Sequence, residues 1–396
     1  MNTDEDIHHS LPKRTVLPFP IHGSTIECHS DHGIEITGDV APPIHMSTTF
    51  VANVPESYGQ VYSRMDSTTR RRVEAVIGAI EGGDAVTYSS GLSAATALIH
   101  CIKPRRIYLD AGYFGIRSAF KLWKQCQQWY QQKEKDSSID RSCWRPAHIE
   151  EERLLDLIWL ESPNNPYTTL ADIEWFAELA SKTGACLVVD STLSSPLGQR
   201  PFEHGAHVVM HSTTKYFSGH SDLLGGVLIV HPSLSNVLTC KLSEERDTDG
   251  AVMGGLEAWL LLRSMRTFSL RVRRQCQTAE IIVEWLEKQR INENKVTKVY
   301  HPNLESHPSH SLATRYLRLP PATFSFELES ESQAKSFARS LLLCSNATSL
   351  GGYETLIDWR YRFDTSVSPA LLRVSIGIEE PDDIIQDFQQ ALQQAN

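Results

Sequence analysis

An acid closes the apolar run Cys186-Leu-Val-Val-Asp190, and a lysine closes Val208-Val-Met-His-Ser-Thr-Thr-Lys215. Apolar runs of this length read as buried parallel strands, which deliver their last residues to the carboxyl edge of a sheet, where open α/β sheets bind ligands. A lysine amine flanked by the hydroxyls of Ser212 and Thr214, facing a carboxylate from a neighbouring strand, matches the needs of pyridoxal 5'-phosphate (PLP). It offers an amine for a Schiff base, donors for a phosphate and an anion for a pyridinium nitrogen. Taken singly, Asp190 ahead of Ser191 and Thr192 could cap a helix or turn, and Lys215 could be a solvated surface lysine. The combination points to amino-acid chemistry.

A third charge stands out at Arg373, inside the apolar strand pattern Leu371-Leu-Arg-Val-Ser-Ile376. A buried guanidinium is costly unless paired. Its partner is either a substrate α-carboxylate held by two parallel bonds or an internal acid.

The elements that must position these groups alternate. A helical pattern through Val73, Val76, Ile77 and Ile80 stops at Gly82-Gly83. Strands follow at 85–88, 106–109, 157–160, 187–189, 207–210 and 226–230, with helices after Gly91, from Arg117 and from Asp172 between them. This alternation predicts a mostly parallel sheet with helices on both faces. After about Met253 the character changes to one long helical pattern from Glu257 to about Gln289, then short strands at 322–328 and 372–376 and a closing helix from Pro381, which suits a smaller α+β domain. The chain therefore divides into an arm over 1–57, a large cofactor-binding domain over 58–252 and a small domain over 253–396. The arm reads as irregular and extended, packing on a neighbouring subunit, and the charged stretch between Gln131 and Ile149 reads as a surface loop.

Composition narrows the partners. The 396 residues carry 48 acids against 38 bases, a formal charge of -10, with no basic block able to neutralise a phosphate backbone, so nucleic acid is not expected. Arg70-Arg71-Arg72 and Arg271-Val-Arg273-Arg274 fall in helical patterns and are read as solvated faces or subunit ion pairs. Eight cysteines without a CxxC pair suggest neither zinc nor a disulfide frame, and no metal is expected. The acidic start and the lack of a long apolar run predict a cytoplasmic protein without membrane contact.

The chain resembles the Cys/Met-metabolism family of PLP enzymes, the transsulfuration group that includes cystathionine γ-synthase, cystathionine γ-lyase and O-acetylhomoserine sulfhydrylase. The likeness runs from about Pro42 to Glu380. It is carried by Tyr62-Ser-Arg64, Ser89-Ser-Gly91-Leu92, Tyr113-Phe-Gly115, Glu161-Ser-Pro-Asn-Asn-Pro166, Asp190-Ser-Thr, Ser212-Thr-Thr-Lys215, Gly219-His-Ser-Asp222, Ser349-Leu-Gly-Gly352 and Leu372-Arg373-Val-Ser-Ile-Gly-Ile-Glu379. The resemblance implies an aspartate aminotransferase-like, fold type I large domain.

It also implies roles. Lys215 would carry the cofactor and shuttle protons, with Tyr113 stacked on the ring as its catalytic neighbour. Asp190 would keep the ring nitrogen protonated. Ser212, Thr214 and the backbone N–H groups of Gly91 and Leu92 would bind the phosphate, and Asn165 would bond the ring's phenolic oxygen. Arg373 would bind the substrate carboxylate, aided by Ser349, Asn165 and Tyr62. Tyr62 and Arg64 would reach the phosphate of a neighbouring subunit, which makes the active unit a homodimer or homotetramer working on small amino-acid substrates.

Three departures from the family bear on specificity. Met65-Asp-Ser-Thr-Thr69 lacks the usual proline turn, and Asp358-Trp-Arg-Tyr-Arg-Phe363 lacks a histidine often found there. Val61 and Thr348 stand where cystathionine-handling members commonly carry glutamates, and neither can bind an ammonium through charge. On these grounds the sequence is read first as a cystathionine γ-synthase-like γ-substitution enzyme for an O-acylhomoserine, with room for a non-cysteine sulfur, carbon or nitrogen nucleophile. Cystathionine γ-lyase-type elimination is the alternative, and a non-catalytic PLP-fold binding protein the remote one.

Overall fold

The computed structural model describes residues 23–31, 34, 39–51, 60–109, 112–135, 156–293 and 295–395. The chain begins there with α1 (Gly23–His29) and α2 (Thr68–Glu81), then β1 (Asp84–Tyr88), α3 (Gly91–Ile102), β2 (Ile107–Leu109) and α4 (Phe114–Lys135). It continues through β3 (Leu157–Glu161), α5 (Ile173–Thr183), β4 (Cys186–Asp190), the single turn α6 (Ser195–Gly198), β5 (Val208–His211), β6 (Gly226–Val230) and α7 (Ser235–Asp249). The second half holds α8 (Gly255–Met265), α9 (Phe268–Lys288), β7 (Lys298–Tyr300), α10 (His310–Tyr316), β8 (Thr323–Glu327) and α11 (Glu331–Ser340). It closes with β9 (Ser345–Asn346), β10 (Leu356–Trp359), β11 (Leu371–Ser375) and α12 (Pro381–Gln394).

The first sheet has the order β1-β6-β5-β4-β3-β2. Its β5–β4, β4–β3 and β3–β2 pairs are parallel, whereas β6 runs antiparallel to both neighbours. Every residue of β3, β4, β5 and β6 is buried, which is why these strands read as unbroken apolar runs rather than alternating ones. Val86, Leu98, Trp159 and Val188 pack with α3 on one face, while Ile158, Leu187, Val189 and Phe176 of α5 fill the other. The second sheet, β7-β8-β11-β10-β9, is antiparallel except for its β9 edge and shares a core with α2, α8, α9 and α12 through Val76, Leu261, Phe324 and Phe388. The expected large α/β sheet and smaller α+β unit are both present. No helix among the described residues is long and apolar enough to cross a membrane.

The structure corrects several local expectations. The single helix from Glu257 is two helices, because Arg266 and Thr267 leave the helical run, with Thr267 at φ -120°, while Met265 and Phe268 on either side both stay in the core. The arm is not wholly extended. It contains α1, whose buried Glu27 accepts from the Ser269 backbone at 3.2 Å, and buried Asp31 just beyond, which pairs with Arg72 at 3.2 Å and Arg266 at 2.8 Å. Part of the expected 131–149 loop is helix, since α4 extends to Lys135; residues 136–155 lie outside the described set.

The arginine runs are solvated only in part: Arg273 is exposed and Arg71 and Arg274 are half-buried, but the other three turn inward. Arg70 and Arg72 are buried, and Arg70 donates to the carbonyls of Ser63 and Met65 at 3.0 and 2.8 Å, fixing the segment that carries Tyr62 and Arg64. Arg271 is likewise buried and donates to the carbonyls of Tyr216 and Phe217 at 3.0 and 3.3 Å, just past Lys215. A guanidinium can be buried when its N–H groups meet fixed oxygens, and here those oxygens belong to the loops that build the site.

Candidate active site

The carboxyl edge of the first sheet collects the chemistry. Glu161 and Asp190 end adjacent parallel strands in direct register. Both are buried, and burial raises both carboxyls, Glu161 to about 8 with Asp190 as a second cause. Thr192 steadies Asp190 by donating its backbone N–H at 3.1 Å and its hydroxyl at 2.6 Å to one carboxylate oxygen. Two acids in this position favour a cation between strand end and solvent.

Lys215 does not close β5. The strand ends at His211, the Ser212 N–H turns to the Thr192 hydroxyl at 2.9 Å, and the Lys215 N–H caps a turn on the Ser212 carbonyl at 3.1 Å. The amine leaves that turn to donate to the Ser349 hydroxyl at 2.8 Å. Burial lowers its ammonium to about 8, with Arg373 and Arg360 adding to the shift. Ser349 has a left-handed backbone, φ 81°, that is uncommon for a serine. Two residues on, Gly351 (φ 79°) lies so close to the Lys215–Tyr216 backbone that a Cβ there would stand 2.6 Å from the Tyr216 nitrogen. The loop is pressed against the lysine, and only glycine permits it.

The helix α3 points its N-terminus at the same edge. Ser90 and Ser93 form a capping box, and the intrahelical ladder begins with the Ala94 N–H on the Ser90 carbonyl at 3.1 Å, leaving the Gly91 and Leu92 N–H groups at the open end. A Cβ on Gly91 would lie 3.2 Å from the Ser212 Cβ, so helix start and lysine loop form one narrow cradle. Donors at a helix start beside a serine suit a phosphate. The Thr214 hydroxyl, by contrast, is committed to Gly225, accepting from its N–H at 3.0 Å and contacting its carbonyl at 3.2 Å.

The remaining candidates join through one residue to which the sequence reading gave no role. Glu161 accepts the Tyr113 N–H at 2.5 Å on one oxygen and the Asn165 N–H at 2.8 Å on the other. Asn165 Oδ1 in turn accepts from Arg373 Nη1 at 3.2 Å, and Arg373 Nη2 donates to the Ser349 carbonyl at 2.7 Å. A continuous set of contacts thus runs from Tyr113 through Glu161, Asn165, Arg373 and Ser349 to Lys215. Glu161 closes the apolar run Leu157-Ile-Trp-Leu in the same way that Asp190 closes its own, so the signal was in the sequence. Burial lowers Arg373 to about 10, which leaves it charged at neutral pH. Tyr62 and Arg64 stand apart from this set. Tyr62 bridges Thr49, and Arg64 donates to the Asp247 carbonyl at 2.7 Å while lying 5.6 Å from the centre of the Tyr62 ring. Both are exposed, as are Val61 and Thr348.

The donor set fits PLP, with a helix-start cradle for phosphate, an amine of lowered basicity and a buried acid pair for a ring cation. Comparison with known proteins agrees. The profile of the family described as Cys/Met metabolism PLP-dependent enzyme matches residues 24–393. The L-methionine gamma-lyase of Fusobacterium nucleatum subsp. polymorphum is 30% identical over 398 residues, spanning 94% of this chain and 96% of that protein. The cystathionine gamma-lyase of Dictyostelium discoideum is 34% identical over 376 residues, spanning 90% and 93%. Among solved structures, metB from Corynebacterium glutamicum superposes with a TM-score of 0.82 at 30% identity, covering 95% of this chain and 99% of its own.

Proposed function

Since the chain belongs to the Cys/Met metabolism PLP-dependent enzymes, we propose that it is a carbon–sulfur γ-lyase for an L-amino acid whose γ-substituent carries no distal ammonium. The first half of this reading reverses the order in which the sequence placed elimination and substitution. It is supported by the named relatives, which are lyases over nine-tenths or more of the chain. The second half rests on Val61 and Thr348, an apolar residue and a hydroxyl where cystathionine-handling members commonly carry an acid.

When bound, PLP supplies an electron sink for negative charge at the substrate Cα and Cβ. The residues of this chain do the rest. Lys215 Nζ takes the proton from Cα and then from Cβ, and its basicity near neutrality suits a group that must both accept and return protons. Ser349 aims that amine. Asp190 holds the ring-nitrogen proton, Tyr113 covers the ring face, and Asn165 reaches the ring's phenolic oxygen. Gly91, Leu92 and Ser212 take the phosphate, and Thr214 stiffens the loop beside them through Gly225. Arg373 receives the α-carboxylate, flanked by Asn165. Tyr62 and Arg64 complete the site of a neighbouring subunit.

γ-Substitution on an O-acylhomoserine is the second reading, favoured by the same missing acids, because such an ester also lacks a distal ammonium. Steady-state comparison of methionine, O-acetylhomoserine and cystathionine, with and without an added thiol, separates the two. We expect cystathionine to lag by roughly one to two orders of magnitude in kcat/KM, the cost of a missing charge-assisted bond. The added thiol should leave 2-oxo-acid release from methionine as the main reaction. Predominant formation of a new thioether would make substitution the activity, and a preference for cystathionine would refute the specificity argument.

A further inference from the structure

Arg373 is not the sole charge at its end of the site. In the antiparallel pairing of β10 with β11, Asp358 lies directly opposite it, so the two side chains share one face of the sheet. Asp358 Oδ2 is 3.5 Å from Arg373 Nη2 and accepts from Arg360 Nη1 at 3.2 Å. Arg362 approaches the other oxygen at 3.7 Å from a side chain that is 45% exposed. The inner three are deeply buried, Asp358 at 1%, Arg360 at 6% and Arg373 at 4% exposure.

An aspartate this deep beside Arg373 would, acting alone, neutralise the guanidinium and compete with any anion brought to it. Arg360 alters that balance. Two buried guanidiniums against one buried carboxylate leave one positive charge, the complement of one arriving carboxylate. Among the described residues no second carboxylate meets the surplus: Arg373 donates its two Nη groups to the neutral oxygens of Asn165 and Ser349, and the Nε groups of both arginines are buried without a hydrogen-bond partner. We propose that Arg360 is a positioning residue that offsets the charge of Asp358 and thereby keeps the positive charge of Arg373 available for the substrate α-carboxylate. The inference rests on the carboxylate-binding role given to Arg373 above.

Glycine, which has no side chain to eliminate, tests it by titration into the holoenzyme, followed through the change in cofactor absorbance. Arg360→Met should weaken glycine roughly ten- to hundredfold, the scale of a lost charge-assisted bond. The double variant Asp358→Asn/Arg360→Met should return to within about threefold of wild type, because the competing anion has gone. Asp358→Asn alone should bind glycine at least as tightly as wild type, an arm that does not depend on the folding of Arg360→Met. Wild-type binding by Arg360→Met, no recovery in the double variant, or weaker binding by Asp358→Asn would each overturn the proposal. Arg373→Lys tells the two levels apart, since an ammonium cannot reproduce the planar fork. If it binds glycine normally, the role of Arg373 itself fails; if it binds poorly while Arg360→Met does not, only the role of Arg360 fails.

Discussion

Lys215→Ala is expected to lower kcat by about three orders of magnitude or more while the protein still binds the cofactor noncovalently. A positioned general acid–base group contributes roughly 10²- to 10⁴-fold, and here one amine serves two carbons. Borohydride treatment of the wild-type holoenzyme followed by peptide mapping should place the label on Lys215; a label elsewhere would sink the assignment. The depressed basicity gives a second readout. With its ammonium lowered to about 8, roughly a tenth of the lysine is free amine at pH 7, against well under a thousandth for an ordinary lysine. Raising the pH deprotonates the amine, so cofactor capture by the apo-protein should accelerate up to about pH 8 and then level off. Acceleration continuing to pH 10 would mean that the burial and the two arginines do not act on this amine as argued.

How far the site was legible in the sequence depended on the range of the interactions that build it. Asp190 and the loop of Lys215 were readable because strand ends in a buried parallel sheet are local patterns, an apolar run stopped by a charge. Even so, Lys215 was placed at the strand's end although it lies four residues past His211, since Ser212 gives its N–H to the Thr192 hydroxyl and the ladder stops there. Glu161 had the same local signature, but its function is to hold the backbones of Tyr113 and Asn165, 48 and 4 residues away. No periodicity reports such a bond. Arg70 and Arg271 were misread for the same reason: helical spacing says which residues share a face, not that the carbonyls of Ser63, Met65, Tyr216 and Phe217 will meet that face. The Asp358–Arg360 pair looked only like a departure from the family until the β10–β11 register set it opposite Arg373.

Arg64→Ala and Lys215→Ala, each inactive alone, are expected to regain activity when mixed under conditions that permit subunit exchange. Within one chain, Arg64 is spent on the Asp247 carbonyl and lies exposed beside Tyr62, outside the contacts that join Tyr113 to Lys215. An exposed arginine fixed by a buried one, Arg70, on a segment bridged to the arm at Thr49, is arranged to be presented outward. If it completes a neighbour's phosphate site, a mixed dimer contains one site that takes its lysine from the Arg64→Ala copy and its arginine from the Lys215→Ala copy. The other site carries both defects. Random exchange of equal amounts makes half of the dimers mixed, so about a quarter of all sites should be intact and activity should recover toward that fraction. The recovery needs no repair of either chain, which distinguishes it from mere stabilisation of a damaged subunit by a healthy one. Absence of recovery, once exchange is verified by tagging the two variants differently, would mean that each chain builds its site alone and that Arg64 acts where the single chain shows it, on α7.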